Sequence, residues 1–185
     1  MALTATIFRI ELELSDIDRS VYRTESLRVA QHPSEETERL VARVLTFALC
    51  WEERLTFARD LADTEEPALW SQRDEGGVAH WIEVGTTKAK RLHIKSKLAD
   101  KLTVAIYRGL DDGRDALRRE VSRTRVHGAE TIDVLVLPGA LVADVAAAMD
   151  RSSAWVVIHS DDSLQVIVDG VPFEGTVRRT SLADL

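Results

Sequence analysis

The first fifty residues change from the period of a strand to the period of a helix. From Thr4 to Ser15 polar and apolar residues alternate, and a turn, "SDIDRS", leads to a second predicted strand from Val21 to Ala30. Together these segments predict a β-hairpin. The alternating apolar residues that we assign to the buried face are Ile7, Ile10, Leu12 and Leu14.

After the hairpin, apolar residues recur at helical spacing in "HPSEETERLVARVLTFALCW". Ser34 precedes this run, and acidic residues come directly after Ser34. The pattern therefore predicts a helix with Ser34 as its N-cap. Residues 55–75 contain a proline and several acids and lead into Gly76 and Gly77, and we predict mostly loop there, with a short strand in "RLTFARDLA" as the alternative.

The middle of the chain predicts a strand-helix-strand unit. Val78–Val84 and "KLTVAIYRG" are rich in β-branched and apolar residues, and a basic segment from Thr87 to about Ala99 lies between them with a helical pattern. The segment from Asp112 to Thr124 is predicted to be helical.

The remaining segments complete a mixed fold. "TIDVLVLPG" predicts a strand, "ALVADVAAAM" a helix, and "AWVVIHSDDSLQVIVDG" a hairpin whose turn is "SDDS". Helices that alternate with strands between two hairpins predict an α/β or α+β class, with helices packed against a mixed β-sheet. A chain of 185 residues with 45% apolar content is expected to form a single domain, residues 1–185.

Charge and cysteine content narrow the classes of function. The chain has 24 basic and 31 acidic residues, and its net charge of −7 argues against a general polyanion-binding surface or a membrane anchor. Cys50 is the lone cysteine, which excludes an internal disulfide and fits a reducing compartment. The N-terminus lacks a long apolar core behind a basic start, so we expect a cytoplasmic protein.

Glu83, within "VAHWIEVG", is the first candidate for chemistry. In a strand it shares one face with Trp81 and Gly85. A carboxylate in such a place needs a cation, a metal or a hydrogen-bond donor, because unpaired burial is costly. The alternatives to a metal site are an exposed edge-strand glutamate and a salt bridge to an arginine.

Further acidic and basic residues surround this strand in the sequence. Glu38 lies towards the inward face of the first predicted helix, and the loop contributes Glu65, Glu66 and Asp74, whose oxygens suit Mg²⁺ or Mn²⁺. Each has a simpler explanation, as a first-turn acid favoured by the helix dipole or as a solvated loop acid.

Several motifs resemble the YaeQ family of bacterial proteins: "HPSEETER", "EEPALW" and "WIEVG", followed by the basic helix. The opening "MALTATIFRIELELSDIDR" and the late hairpin "WVVIHSDDSLQVIV" fit as well, so the resemblance covers almost the whole chain. It implies a fold related to the PD-(D/E)XK superfamily of restriction-endonuclease-like nucleases, in a rearranged α/β roll.

Members of that superfamily use a helix glutamate, an acid before the central strand, and a carboxylate-x-lysine on that strand. The resemblance assigns Glu38 in "ETER" to the first role and Glu83 in "WIEVG" to the strand carboxylate. Glu66 and Asp74 are both eligible as the middle acid. The implied metal ligands are therefore Glu38, Glu66, Asp74 and Glu83, and the implied metal is Mg²⁺ or Mn²⁺.

The chain departs from the superfamily pattern at Gly85, which stands where the strand lysine is expected. Some members of the superfamily place that lysine on the following helix, which nominates Lys90, with Lys95 as second choice. The resemblance thus implies Glu38, Glu83 and Lys90 as catalytic residues, with the lysine stabilising the attacking hydroxide or the developing negative charge.

Two functions follow from these residues. One is metal-dependent phosphodiester hydrolysis, with nucleic acid as the partner. The other is a non-catalytic scaffold, in which the carboxylates pair with Arg91 or Lys90 and the surface binds a protein partner. If three carboxylates converge within about 5 Å on an open cleft, the metal site is favoured. If an arginine pairs with the carboxylates and closes the cleft, the scaffold is favoured.

Thiol chemistry at Cys50 has little support, because its position within an apolar helical pattern is typical of a buried structural cysteine.

Overall fold

The alternating pattern at the start of the chain forms a β-hairpin. Strands β1 (Thr6–Asp16) and β2 (Val21–Gln31) pair antiparallel, with Thr6 opposite Gln31 and Asp16 opposite Val21, so the hairpin prediction is confirmed. The buried row begins at Phe8, and the assignment of Ile7 to that row is wrong. Side chains alternate between the two faces of a strand, and Ile7 points to the same face as the exposed residues.

The described residues of the computed structural model are 5–58, 66–108 and 110–185, the side chains of 110–112 excepted.

Helix α1 (Thr37–Leu49) begins two residues later than a cap at Ser34 would require. Its N-cap residue is Glu36, and the Ser34 hydroxyl instead lies 2.7 Å from Nδ1 of His32. The ten residues from Leu40 to Leu49 are all buried. A helix that is buried on every side lies inside the protein, between other layers of structure.

The other strands and helices follow the predicted order, with two additional strands after the second hairpin. Their bounds are β3 (Thr56–Phe57), β4 (Leu69–Gln72), β5 (Val78–Val84), α2 (Ala89–Lys95), β6 (Ala99–Ile106), α3 (Leu110–Ser122), β7 (Asp133–Val136), α4 (Gly139–Ala148), β8 (Ser152–Ser160), β9 (Ser163–Val168), β10 (Val171–Thr176) and β11 (Arg178–Ser181), before a 3₁₀ turn (Leu182–Asp184).

Two predictions about the middle of the chain need correction. Residues 55–75 contain the strands β3 and β4, where we predicted mostly loop. Strand β4 pairs with β5 in a register that places Trp70 opposite Trp81, and this long-range pairing overrides the local turn signals. Helix α2 is also shorter than the predicted segment, because β6 already begins at Ala99.

The strands form two mixed sheets. Their orders are β10-β9-β8-β1-β2 and β11-β7-β6-β5-β4-β3. In the second sheet β5, β6 and β7 are parallel, so the predicted strand-helix-strand unit is confirmed. The mixed class is confirmed as well, with the strands divided between two sheets.

Helices α1 and α4 lie in the core that joins the two sheets. This core contains Ile10 and Trp155 from the first sheet and Ile82 from the second, together with residues of both helices. The opposite face of the second sheet packs against α2 and α3 in a separate core, which includes Trp81, Leu92 and other buried residues. Among the described residues, no helix is both long and apolar enough to cross a membrane.

The β8–β9 hairpin has the predicted turn. Ser160 pairs with Ser163, which leaves Asp161 and Asp162 as the two loop residues. Asp161 has φ of 52°, a left-handed conformation that short turns of this kind require and that aspartate tolerates.

A buried ion pair fixes the start of α1. The Arg43 guanidinium donates to both carboxylate oxygens of Glu35, at 2.9 and 2.7 Å, and also to the carbonyl oxygen of Ala30 at 2.7 Å. The Arg43 and Glu35 side chains are 1% and 3% exposed. Arg39, which is 36% exposed, donates to the same carboxylate at 2.6 Å. These bonds connect the helix to the segment that precedes it and to the end of β2.

We predict that Arg43→Ala lowers the free energy of unfolding by about 3–5 kcal/mol, because it leaves the Glu35 carboxylate buried with an incomplete set of partners. Arg39→Ala is the matched control, since it removes a more exposed partner of the same carboxylate and should cost about 1 kcal/mol or less. Urea denaturation monitored by circular dichroism measures both, and equal losses would contradict this account of the pair.

Candidate functional site

Glu83 lies at the penultimate position of β5, next to the parallel strand β6. Its side chain is 13% exposed. The indole nitrogen of Trp81, two residues earlier on the same face, donates to Glu83 Oε1 at 2.7 Å. The Arg91 Nε donates to the same oxygen at 2.5 Å. The carboxylate is therefore partnered by a cation and a neutral donor.

Helix α2 places Arg91 over this carboxylate. The helix buries Ala89 and Leu92 against the second core, which turns Arg91 towards β5. Besides Glu83, the guanidinium donates to the backbone carbonyl of Glu66 at 2.8 Å. Its carbon lies 5.4 Å from the centre of the Trp81 ring, within the range of a cation–π contact. Arg91 thus connects the strand carboxylate, the indole and the loop before β4.

A second cation and a second indole extend the same cluster. Lys95, one helical turn after Arg91, places Nζ 4.3 Å from the centre of the Trp81 ring. The Trp70 ring meets Trp81 edge to face, with centroids 6.4 Å apart and an interplanar angle of 87°. Contacts of these kinds fix the position of the Trp81 ring, and therefore of the indole N–H that donates to the Glu83 carboxylate.

The other candidate residues are distributed around this cluster. Glu38 is half-buried in the first turn of α1, and Lys90 is exposed on α2. Glu66 and Asp74, the two candidates for the middle acid, line one cleft of about 650 Å³ together with Trp70. Asp74 is 76% exposed and forms an ion pair with Arg54. Glu65 lies outside the described residues.

Glu38, Glu66, Asp74 and Glu83 do not form a compact cluster of ligands. Where the structure describes the chain, no three of their carboxylates have oxygens within 4.8 Å of one another. Arg91 contacts Glu83 on the side of α2, whereas Asp74 pairs with Arg54 at the cleft. The metal-ligand and catalytic assignments therefore stay predictions.

Sequence analysis missed a polar group on the other side of β5. Nε2 of His80 lies 2.9 Å from the Thr103 hydroxyl, and Nδ1 lies 3.3 Å from Glu52 Oε1, which also accepts from the Ser71 hydroxyl at 2.5 Å. The available signal was a histidine on the same strand face as Ile82, since a buried ring nitrogen needs a polar partner. Burial raises the pKa of Glu52, but the contacts with His80 and Ser71 outweigh it and hold that pKa below its ordinary value of 4.5.

The interpretation of Cys50 as a buried structural cysteine is confirmed, since the residue is 4% exposed. Burial raises the pKa of its thiol. The Arg179 Nη2 lies 3.9 Å from the sulfur. A buried thiol with a raised pKa is a weak nucleophile.

The fold and the site define a class: a mixed α/β protein of two sheets, with a strand carboxylate held by an arginine and a tryptophan. The family model described as "YaeQ protein" matches residues 1–176. The chain belongs to the YaeQ family, as its sequence motifs predicted.

Relatives with sequences and with solved structures agree with this assignment. The chain is 37% identical over 107 residues to "Uncharacterized protein YaeQ" of Escherichia coli (strain K12) and 36% identical to that of Salmonella typhi. Each alignment spans 58% of this chain and 58% of the relative's length. The crystal structure of YaeQ from Xanthomonas axonopodis pv. citri matches with a TM-score of 0.87 at 31% identity, over 96% of this chain and 99% of that one. The YaeQ structure from Pseudomonas syringae matches with a TM-score of 0.83 at 30% identity, over 96% of each chain.

We predict that Glu52→Gln lowers stability at neutral pH and that this difference disappears in acid. A carboxyl whose pKa is lowered by folding stabilises the protein above its unfolded-state pKa, and this contribution is lost as the pH falls through the lower folded-state pKa. Urea midpoints of wild type and variant should converge between about pH 5 and pH 3. The exposed neighbour Glu53, changed to Gln, is the control, and a pH-independent effect of Glu52→Gln would contradict the prediction.

Proposed function

We propose that this chain is a non-catalytic scaffold, which retains a nuclease-like arrangement of strand and helix but binds a partner rather than hydrolysing a phosphodiester. The observation that carries the proposal is the ion pair between Arg91 and Glu83, in which Arg91 Nε donates to Glu83 Oε1 at 2.5 Å. The indole N–H of Trp81 donates to the same oxygen. A carboxylate neutralised in this way has no need of a metal ion.

Electrostatics argue against a divalent cation at Glu83 as the side chains stand. A cation bound there would lie next to the Arg91 guanidinium, and the two like charges would repel strongly in a partly buried site. To admit the metal, Arg91 would have to leave both Glu83 and the Glu66 carbonyl. The donor set around Glu83 therefore does not fit Mg²⁺ or Mn²⁺ in this arrangement.

Gly85 gives further support. It has φ of +97°, and its N–H donates to the Ala105 carbonyl at 2.8 Å. A lysine at this position, as the superfamily pattern requires, would adopt a strained left-handed backbone. The exposed Lys90 is not held against Glu83, whose cationic partner is its neighbour Arg91. The geometry of β5 thus disfavours the expected carboxylate-x-lysine arrangement.

The surface of α2 and the segment that follows it suits a protein partner. Lys88 and Lys90 are exposed there, and so are Ile94 and Leu98, at 44% and 56%. Apolar side chains beside cations favour a partner that offers both acidic and apolar groups. Nucleic acid is the less favoured partner because the net charge is −7, and we expect binding in the cytoplasm without a membrane.

Metal-dependent hydrolysis is the second candidate, and one observation favours it. The Glu83 carboxylate and the Glu66 carbonyl both accept from Arg91, so movement of this one side chain would expose two oxygens towards the same space. Oxygen ligands of this kind suit Mg²⁺ or Mn²⁺.

Cleavage assays on single- and double-stranded DNA and RNA, with Mg²⁺ and with Mn²⁺, distinguish the two functions. We expect wild type, Glu83→Gln and Arg91→Ala to be equally inactive, because no chemistry depends on the strand carboxylate. Metal-dependent cleavage by the wild type that Glu83→Gln abolishes would overturn the scaffold proposal.

The same pair makes a prediction for stability. Arg91→Ala should lower the free energy of unfolding by about 2 kcal/mol, since it leaves the largely buried Glu83 carboxylate without its cation. Lys90→Ala, at the exposed neighbouring position, should change it by less than about 0.5 kcal/mol. The measurement is urea denaturation, and Arg91→Ala in a Glu83→Gln background should cost less than in the wild type, because the charge that needs Arg91 is then absent.

A further inference from the structure

A second polar cluster lies in the first sheet, on strands other than those that carry Glu83. Strands β1 and β8 run parallel, and their register places Asp16 next to His159 where both strands end. Asp18 lies in the turn after β1, and its Oδ2 accepts from the backbone N–H of Asp161 at 2.7 Å. One ligand atom from each of Asp16, Asp18 and His159 lies within 4.8 Å of the other two.

His159 supplies an independent indication of a ligand. Its side chain is 10% exposed, and Nδ1 is a buried nitrogen without a hydrogen-bond partner among the described residues. This nitrogen lies 3.4 Å from Asp16 Oδ2, so it faces that carboxylate without forming a hydrogen bond with it. A buried polar atom left unsatisfied costs stability, and such atoms in a native structure call for an explanation. A bound ion would provide the missing partner.

Arg19 occupies only part of the coordinating capacity of Asp16. Its Nε donates to Asp16 Oδ2 at 2.7 Å, and its backbone N–H donates to Oδ1 at 3.2 Å. A carboxylate has about four acceptor positions, so both oxygens keep lone pairs available. Asp18 and the adjoining turn residues Asp161 and Asp162 add negative charge that exceeds the charge of Arg19.

We propose that Asp16, Asp18 and His159 bind a divalent transition-metal ion, such as Zn²⁺, through the imidazole Nδ1 and the two carboxylates. A mixed imidazole and carboxylate set suits Zn²⁺ and its neighbours in the transition series better than Mg²⁺, which prefers oxygen alone. The ion would join the ends of β1 and β8 to the turn that carries Asp18. The site does not involve Glu83 or Arg91, so the metal-site proposal can be correct or wrong independently of the proposed scaffold function.

Titration of the full chain with Co²⁺ tests the site, because Co²⁺ held by three protein ligands in a four- or five-coordinate site absorbs visible light much more strongly than octahedral aqueous Co²⁺ does. We expect saturable binding to the wild type that Zn²⁺ displaces and that millimolar Mg²⁺ does not. Asp18→Asn, which removes charge at an exposed position and keeps a side-chain acceptor for Asp161, should weaken binding by more than about tenfold. His159→Gln should weaken it at least as much.

Glu53→Gln is the matched control, since it removes an exposed carboxylate outside this cluster and should leave Co²⁺ affinity unchanged. Lack of Co²⁺ and Zn²⁺ binding by the wild type would overturn the proposal. So would binding that Asp18→Asn leaves unchanged, or that Glu53→Gln abolishes. If His159→Gln does not fold, Asp18→Asn still decides the outcome, and neither result depends on the cleavage assays.

Discussion

The rest of the structure depends on the burial of helix α1 over the ten residues from Leu40 to Leu49. A helix buried on every side needs apolar layers around it, and the two sheets together with α4 provide them. The buried charge of Arg43 must then be compensated inside the protein, which the bidentate bond to Glu35 achieves. At the other end, Arg19 donates to the carbonyl oxygens of Ala48 and Trp51 and Arg179 to that of Leu49. These cations satisfy the carbonyl groups that a helix end leaves unpaired.

Pairing of a buried carboxylate with an arginine recurs in this protein. Glu35 pairs with Arg43, Asp16 with Arg19, and Glu83 with Arg91. Arginine suits this task because its guanidinium can serve several acceptors at once. Arg19 and Arg91 each use that capacity to bind backbone carbonyls of another segment as well. The pair at Glu83 thus resembles the structural pair at Glu35, whereas Asp16 also has ligand atoms of Asp18 and His159 within 4.8 Å.

The family assignment sets the fold and leaves the activity to the chemistry of the site. The family model and two solved structures agree over nearly the whole chain. The Escherichia coli and Salmonella typhi relatives carry the word "Uncharacterized" in their names, so the function rests on the residues around Glu83. No three of the four candidate acids there, all of them described residues, converge, Gly85 with a positive φ follows Glu83 on the strand, and Arg91 forms an ion pair with the Glu83 carboxylate.

The sequence alone determined the elements whose signals are local. The β1–β2 hairpin, the β5–α2–β6 unit and the "SDDS" turn were all predicted, because alternation, helical spacing and turn residues reflect the geometry of neighbouring residues. The shared face of Trp81 and Glu83 followed from the same strand geometry. The choice between Lys90 and Arg91 as the partner of Glu83 depended on how α2 packs on the second core, which the sequence left open. The strand in the loop before β5, the separation of the acids and the meeting of Asp16 with His159 were likewise decided by tertiary structure, since each depends on contacts between segments distant in the chain.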